Sequence, residues 1–129
     1  MSLQVSEDHT HLLKDGKHFF WLADTCWSAF TNISDEEWDA YLTHRAGQGF
    51  NVLQINALPQ WDRCGTRLNR HPFPLPDGVH YDFSTILPEY FAHAREMCRK
   101  AVAHGFTLAL VVMWCNYDAY SQCSIKIFF

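Results

Sequence analysis

"GQGFNVLQINAL" (residues 47–58) and "AHGFTLALVVMW" (residues 103–114) share one order of residues: a glycine, a phenylalanine and then an apolar strand. Each stretch follows a segment with apolar residues at helical spacing, near 35–47 and 88–104. Strands that are apolar on both faces are typical of parallel sheets covered by helices. Together with the apolar run at 19–24, this order predicts an α/β fold. Its parallel strands at 19–24, 50–56 and 106–113 lie side by side in chain order, with the helices on one side.

Local signals mark where these elements begin and end. Asp15-Gly16, between two short apolar runs, predicts a β-hairpin whose second arm leads into 19–24. Ser34 with Glu37 three residues later predicts a capping box, and proline at position 88 predicts the first turn of the second helix. The spacing predicts two buried helical stripes. The first contains Trp38, Tyr41, Leu42 and Ala46, and the second contains Phe91, Ala94, Cys98, Ala101 and Val102.

Composition excludes several classes of protein. The chain has 129 residues, enough for one domain, and 48% of them are hydrophobic. A net charge of −4 without a basic cluster argues against a nucleic-acid partner, and the longest apolar run is too short for a bilayer. Five cysteines without a Cys-x-x-Cys pair favour free thiols. No phosphate-binding glycine motif and no metal-ligand spacing is present, so we predict no cofactor and no metal.

Tryptophans with polar neighbours follow each of the three strands, at the edge where parallel α/β folds bind ligands. Flat apolar rings beside carboxylates and amides match the apolar faces and hydroxyl groups of a sugar. We therefore predict a carbohydrate-binding site at the strand ends. Its candidate residues are Asp24, Trp27, Asn56, Trp61, Trp114, Asn116 and Tyr117.

Simpler structural roles remain open for several of these residues. Asp24 could cap the loop after the first strand, Asn56 could close a turn, and Trp61 could lie on the surface of the irregular segment 59–87. Gln54 either faces a barrel interior or is a polar group satisfied within the sheet. Trp21 is expected in the core, because it lies inside the predicted first strand.

Three blocks of the chain resemble the N-terminal part of the apiosidase-like glycoside hydrolases. They are "DGKHFFWLADTCWSAF" (15–30), "SDEEWDAYLTHRAGQGFNVLQ" (34–54) and "PEYFAHAREMCRKAVAHGFTLALVVMW" (88–114). The resemblance covers roughly residues 12–117. It implies the first part of a cellulase-like (β/α)8 TIM barrel, with Asp24, Thr25 and Trp27 as the strand-one signature and Trp114 as the strand-three tryptophan. The family usually has glycine after that tryptophan, where this chain has Cys115.

The resemblance also implies that the family's catalytic carboxylates lie on later strands. We therefore expect residues 1–129 to form one partial barrel domain that contributes sugar contacts, contains no catalytic residue and is inactive alone. The segment 118–129 is expected to be an atypical tail, either truncated or out of frame. The alternative is a complete non-catalytic carbohydrate-binding or interaction domain.

The expected partner is an oligosaccharide or a polysaccharide side chain, without nucleic acid or membrane, and with self-association through open sheet edges. The polar N-terminus favours the cytoplasm for the chain as written, although the resemblance also allows export.

Overall fold

The computed structural model describes residues 2–59, 67–78 and 80–113. Its elements in chain order are β1 (Leu3–Val5), β2 (Leu12–Lys14), β3 (Lys17–Phe19), β4 (Ala23–Thr25), α1 (Ala29–Asn32), α2 (Asp35–Gly47), β5 (Val52–Asn56), α3 (Pro88–Ala103) and β6 (Thr107–Val111). Within these described ranges, six strands form two sheets of three strands each.

The second sheet is parallel and has the order β4-β5-β6, as the repeated sequence order predicts. Its first strand begins later than expected, at Ala23 instead of residue 19. The expectation that Trp21 lies in the core is wrong. Trp21 packs edge-to-face against Phe19 and keeps 43% of its surface exposed, because β4 begins only at Ala23 and Trp21 lies in the connection between the two sheets.

The first sheet contains the predicted hairpin. Asp15 and Gly16 both have positive φ, at 52° and 77°, as a two-residue turn between β2 and β3 requires. The sequence did not indicate β1, which pairs antiparallel with β2 and extends the hairpin to three strands. The Lys14 ammonium donates to the Thr107 hydroxyl (2.9 Å), which attaches this sheet to the start of β6.

The capping box of α2 forms as predicted. The Ser34 hydroxyl accepts from the Glu37 N–H (3.2 Å), and the Glu37 carboxylate accepts from the Ser34 N–H (2.8 Å). Gly49 and Gly105 end the two long helical segments with φ of 87° and 93°, a conformation that costs a residue with a Cβ about 1–2 kcal/mol.

All three helices contribute to one core against one face of the parallel sheet. Trp38 and Leu42 of α2 pack with Leu53 and Ile55 of β5, and the Trp38 indole N–H donates to the Met97 carbonyl (3.1 Å). The predicted stripe of α3 was partly wrong. Its buried residues are Tyr90, Ala94, Met97 and Ala101, while Phe91 and Val102 are exposed. α3 therefore turns Tyr90 and Met97 toward the core in place of Phe91 and Val102. Which side of α3 is buried depends on its contacts with α1, α2 and β6, and the spacing along α3 alone does not specify these contacts.

Candidate functional site

The carboxyl end of β4 remains joined to β5 beyond the last paired residue. The Cys26 N–H donates to the Gln54 carbonyl (3.0 Å), and the Asn56 N–H donates to the Trp27 carbonyl (3.1 Å). Two of the predicted site residues, Trp27 and Asn56, are therefore brought together at the predicted edge. The Ala57 N–H donates to the Val111 carbonyl (2.8 Å), so the end of β6 lies at the same edge.

Asn56 is almost completely buried, with 3% of its surface exposed. Neither its amide oxygen nor its amide nitrogen has a hydrogen-bond partner in the described part of the chain. A buried polar group without a partner costs roughly 1–3 kcal/mol, and such groups are rare in folded proteins. The turn-closing role that the sequence left open for Asn56 would give this amide a partner, so the geometry does not favour it.

The side chains of β5 alternate between the two faces of the sheet. Leu53 and Ile55 pack under the helices, so Gln54 and Asn56 lie on the opposite face. Thr25 is the register partner of Gln54 and shares that face. The open question about Gln54 is thereby answered in part: it lies on the face of the sheet opposite to the described helices. In a (β/α)8 barrel the face opposite to the helices is the interior face.

Asp24 has the opposite orientation. It is the register partner of Leu53 and therefore lies on the helix-covered face. Its Oδ2 accepts from the Tyr41 hydroxyl (2.7 Å), and its Oδ1 accepts from the Thr25 N–H (2.9 Å). The Arg45 Nε lies 2.5 Å from Oδ2 in an ion pair without hydrogen-bond alignment. Asp24 lies three positions before Trp27 in the chain, but its carboxylate is directed toward α2.

The surroundings of Asp24 determine the chemistry of two neighbours. Burial raises the pKa of the Cys26 thiol to about 11, which keeps this thiol protonated and unsuited to nucleophilic attack. Burial and the hydrogen bond to Asp24 also raise the pKa of Tyr41. Tyr41 therefore acts as a hydrogen-bond donor with a fixed partner.

A groove of about 490 Å³ runs beside the β4–α1 connection. The indole of Trp27, which is 39% exposed, lines it together with Tyr41 and Arg67. Arg67 pairs with Glu37 at the same groove. An accessible indole beside charged hydrogen-bonding groups is the combination predicted for a sugar contact.

Four predicted site residues lie outside the described residues: Trp61, Trp114, Asn116 and Tyr117. Within the described ranges, no three His, Cys, Asp or Glu side chains are arranged to hold a metal ion. No helix in that part of the chain is long and apolar enough to cross a bilayer. Cys26 and Cys98 are free thiols.

Comparison with known proteins assigns the fold and the family. The sequence profile described as "Apiosidase-like, catalytic domain" matches residues 6–128. The chain belongs to the apiosidase-like family. No curated protein sequence matches it.

Solved structures of glycoside hydrolases share the apiosidase-like fold of this chain. One described as "Glycoside hydrolase" matches with a TM-score of 0.65 and 24% identity over 87% of this chain. A glycoside hydrolase family 5 protein from Bacteroides vulgatus matches with a TM-score of 0.66 and 23% identity over 87% of this chain. A protein described as a putative glycoside hydrolase from the same organism matches with a TM-score of 0.66 and 19% identity over 85% of this chain. The chain spans 23–25% of the length of these proteins. The predicted fold class, the first part of a glycoside hydrolase-like barrel, is confirmed.

Proposed function

We propose that this chain contributes carbohydrate-binding residues to a glycoside hydrolase barrel that hydrolyses glycosidic bonds of polysaccharides. The observation that carries the proposal is the side-chain amide of Asn56, which is buried at the end of the central parallel strand and has no hydrogen-bond partner among the described residues. The backbone N–H of the same residue donates to the Trp27 carbonyl. Ligands of (β/α)8 barrels bind at this edge. The family assignment supports a carbohydrate as the ligand.

An amide suits a sugar because it both donates and accepts hydrogen bonds, as adjacent hydroxyl groups do. Trp27 adds a flat apolar surface for the C–H face of the ring. We assign the same role to Trp61, Trp114, Asn116 and Tyr117, which the sequence places after the second and third parallel strands.

Asp24 enters the proposal mainly as the residue that fixes the end of β4. Its two oxygens accept from Tyr41 and Thr25, which holds the segment leading to Trp27 in place. A carboxylate oxygen can accept more than one hydrogen bond, so a contact between Asp24 and a sugar hydroxyl stays a prediction.

We further propose that the chain alone does not hydrolyse glycosides. Glycosidic cleavage usually requires two carboxyl groups about 5–5.5 Å or 6.5–9.5 Å apart across the scissile bond. Among the described strand-end residues, Asp24 supplies one carboxylate, and it is paired with Arg45. In this proposal the catalytic pair belongs to later strands of a longer barrel.

Titration of the 129-residue chain with pectic and hemicellulosic oligosaccharides, followed by tryptophan fluorescence, tests the binding proposal. We expect a saturable change that Asn56→Leu, Trp27→Ala and Trp114→Ala each weaken. Asn51→Gln is the control, since Asn51 bonds Leu22 and Phe20 at the opposite end of β5. An unchanged response in the first three variants would contradict the assigned site.

A parallel assay with aryl glycosides and pectic oligosaccharides tests the inactivity proposal. A full-length homologue is the positive control, and we expect turnover only from the homologue. Turnover by the chain that disappears in Asp24→Asn would instead identify Asp24 as a catalytic residue.

A further inference from the structure

A second groove, of about 430 Å³, lies where the segment 67–78 meets the first turns of α3. Its walls include Arg70, His71, His93 and Tyr90. The Tyr90 hydroxyl donates to the Ala57 carbonyl (2.9 Å), which fixes this wall to the segment after β5. We call this space the Arg70 groove; it shares no lining residue with the groove beside Trp27.

Arg70 brings a positive charge that is not paired with a carboxylate of the described residues. Its Nη1 lies 2.5 Å from His93 Nε2 and 3.4 Å from the Ile33 carbonyl. In the described part of the chain, no carboxylate lies within 4.0 Å of Arg70, and no residue accepts a hydrogen bond from its Nη2 or Nε. A half-buried guanidinium normally pairs with a carboxylate through two parallel N–H donors.

The imidazole of His93 is arranged as a neutral acceptor toward Arg70. A guanidinium only donates, so His93 Nε2 must accept and its proton must lie on Nδ1, 3.9 Å from Asp35 Oδ1. Burial and the Arg70 charge lower the pKa of His93, in agreement with the neutral form. His93 therefore orients the guanidinium without neutralising its charge.

The other polar groups of the groove limit the ligand. His71 is already paired with Tyr81 (3.0 Å) and Asn69 (3.0 Å), and burial lowers its pKa. The exposed carboxylate of Glu89 also lines the groove and repels anions of high charge. A carboxylate can pair with the guanidinium through two parallel hydrogen bonds, and Glu89 repels its single negative charge less than it repels a phosphate dianion.

We propose that the Arg70 groove binds a carboxylate, either of a small organic acid or of an acidic sugar unit. This site is independent of the proposed sugar contacts at Trp27 and Asn56. An acidic sugar in the Arg70 groove would add a second point of attachment for a polysaccharide, whereas a free acid would be a separate ligand.

The experiment follows the ring signals of His93 by NMR at pH 7.5 while sodium acetate is added, with sodium chloride at equal ionic strength as the reference. We expect a saturable shift with acetate only. Arg70→Gln should remove it, Arg70→Lys should weaken binding about tenfold because lysine has no bidentate fork, and Arg99→Gln on the exposed face of α3 should leave it unchanged.

Two further arms distinguish the source of the carboxylate. An acidic sugar is identified if trigalacturonate binds more tightly than acetate and neutral galactotriose does not shift the His93 ring signals. A small acid is identified if trigalacturonate and acetate bind with equal affinity. Equal shifts with acetate and chloride, or acetate binding that survives in both Arg70 variants, would overturn the proposal. If Arg70→Gln fails to fold, the acetate and chloride titrations of the unmutated chain and of Arg70→Lys decide the question. If neutral sugars do not change the tryptophan fluorescence, this result contradicts the proposed function and leaves the proposal for the Arg70 groove unaffected.

Discussion

The carboxylate of Asp24 is held by the hydroxyl of Tyr41 at 2.7 Å, and this contact joins the first parallel strand to helix α2. Arg45, one helical turn further along α2, completes the cluster, with its guanidinium over the rings of Tyr41 and Phe50. Asp24 and Arg45 are mostly buried, with 19% and 31% of their side chains exposed. The cluster is therefore expected to contribute to stability more than an ion pair on the surface does.

Asp24→Asn should lower the free energy of unfolding by roughly 1–3 kcal/mol, because Arg45 loses its counter-charge in a mostly buried position. Urea denaturation followed by circular dichroism measures the change. Glu96→Gln is the control, since its pair with Arg99 is exposed and worth about 0–1 kcal/mol. Equal losses in the two variants would mean that the Asp24 cluster is no stronger than a surface pair.

Asn56→Leu should leave stability unchanged or raise it, by up to about 2 kcal/mol, because it removes a buried amide that has no partner among the described residues. Asn51→Leu should destabilise the chain, since the Asn51 amide bonds the Leu22 N–H (3.0 Å) and the Phe20 carbonyl (2.7 Å). Urea midpoints of the two variants provide the test. A large loss of stability in Asn56→Leu would show that its amide has a structural partner and would weaken the proposed binding role.

Gly105→Ala should destabilise the chain by about 1–2 kcal/mol through backbone strain alone, since φ is 93° and an added Cβ meets no atom within 4 Å. Gly47→Ala has equally open surroundings, but Gly47 is the last residue of α2 and has no positive φ. It should stabilise the helix by roughly 0.5–1 kcal/mol. Thermal melting of both variants measures the difference, and shifts of the same sign would contradict the explanation by strain.

Stability should fall as the pH drops below about 6.5, the ordinary pKa of histidine. The pKa values of His71 and His93 are lowered in the folded chain, so the unfolded chain binds more protons in this range. The stabilising effect is complete above the unfolded pKa and is lost as the pH falls through the folded values. Urea midpoints between pH 5 and 8 should show this slope, and His93→Gln should reduce it more than His44→Gln on the exposed face of α2.

Local signals in the sequence were sufficient for the hairpin of β2 and β3, the two long helices and the order of the parallel strands, but they did not indicate β1 or α1. Asp15-Gly16 specifies the hairpin turn and Ser34 with Glu37 specifies the start of α2, because each depends on residues only one to three positions apart. The order of the parallel sheet followed from the repeated glycine, phenylalanine and strand.

Contacts between distant segments were not predictable in the same way. The direction of Asp24 depends on the pairing of β4 with β5, and an error of one residue in that register places the carboxylate on the other face. Arg70 lies in an irregular segment, where spacing does not indicate which side chains meet. Its contact with His93 spans 23 residues and appears only in the folded chain.

The bond between Lys14 and Thr107 also affects the order in which the chain can fold during synthesis. The two residues are 93 positions apart, so at about 5–20 residues per second the ribosome needs roughly 5–20 s to add the second after the first. The N-terminal sheet has all three of its strands within the first 19 residues but must wait for its attachment point. During this interval the exposed edges of the hairpin can pair with other nascent chains. We expect a chaperone that binds short β-strands to act mainly in the same interval.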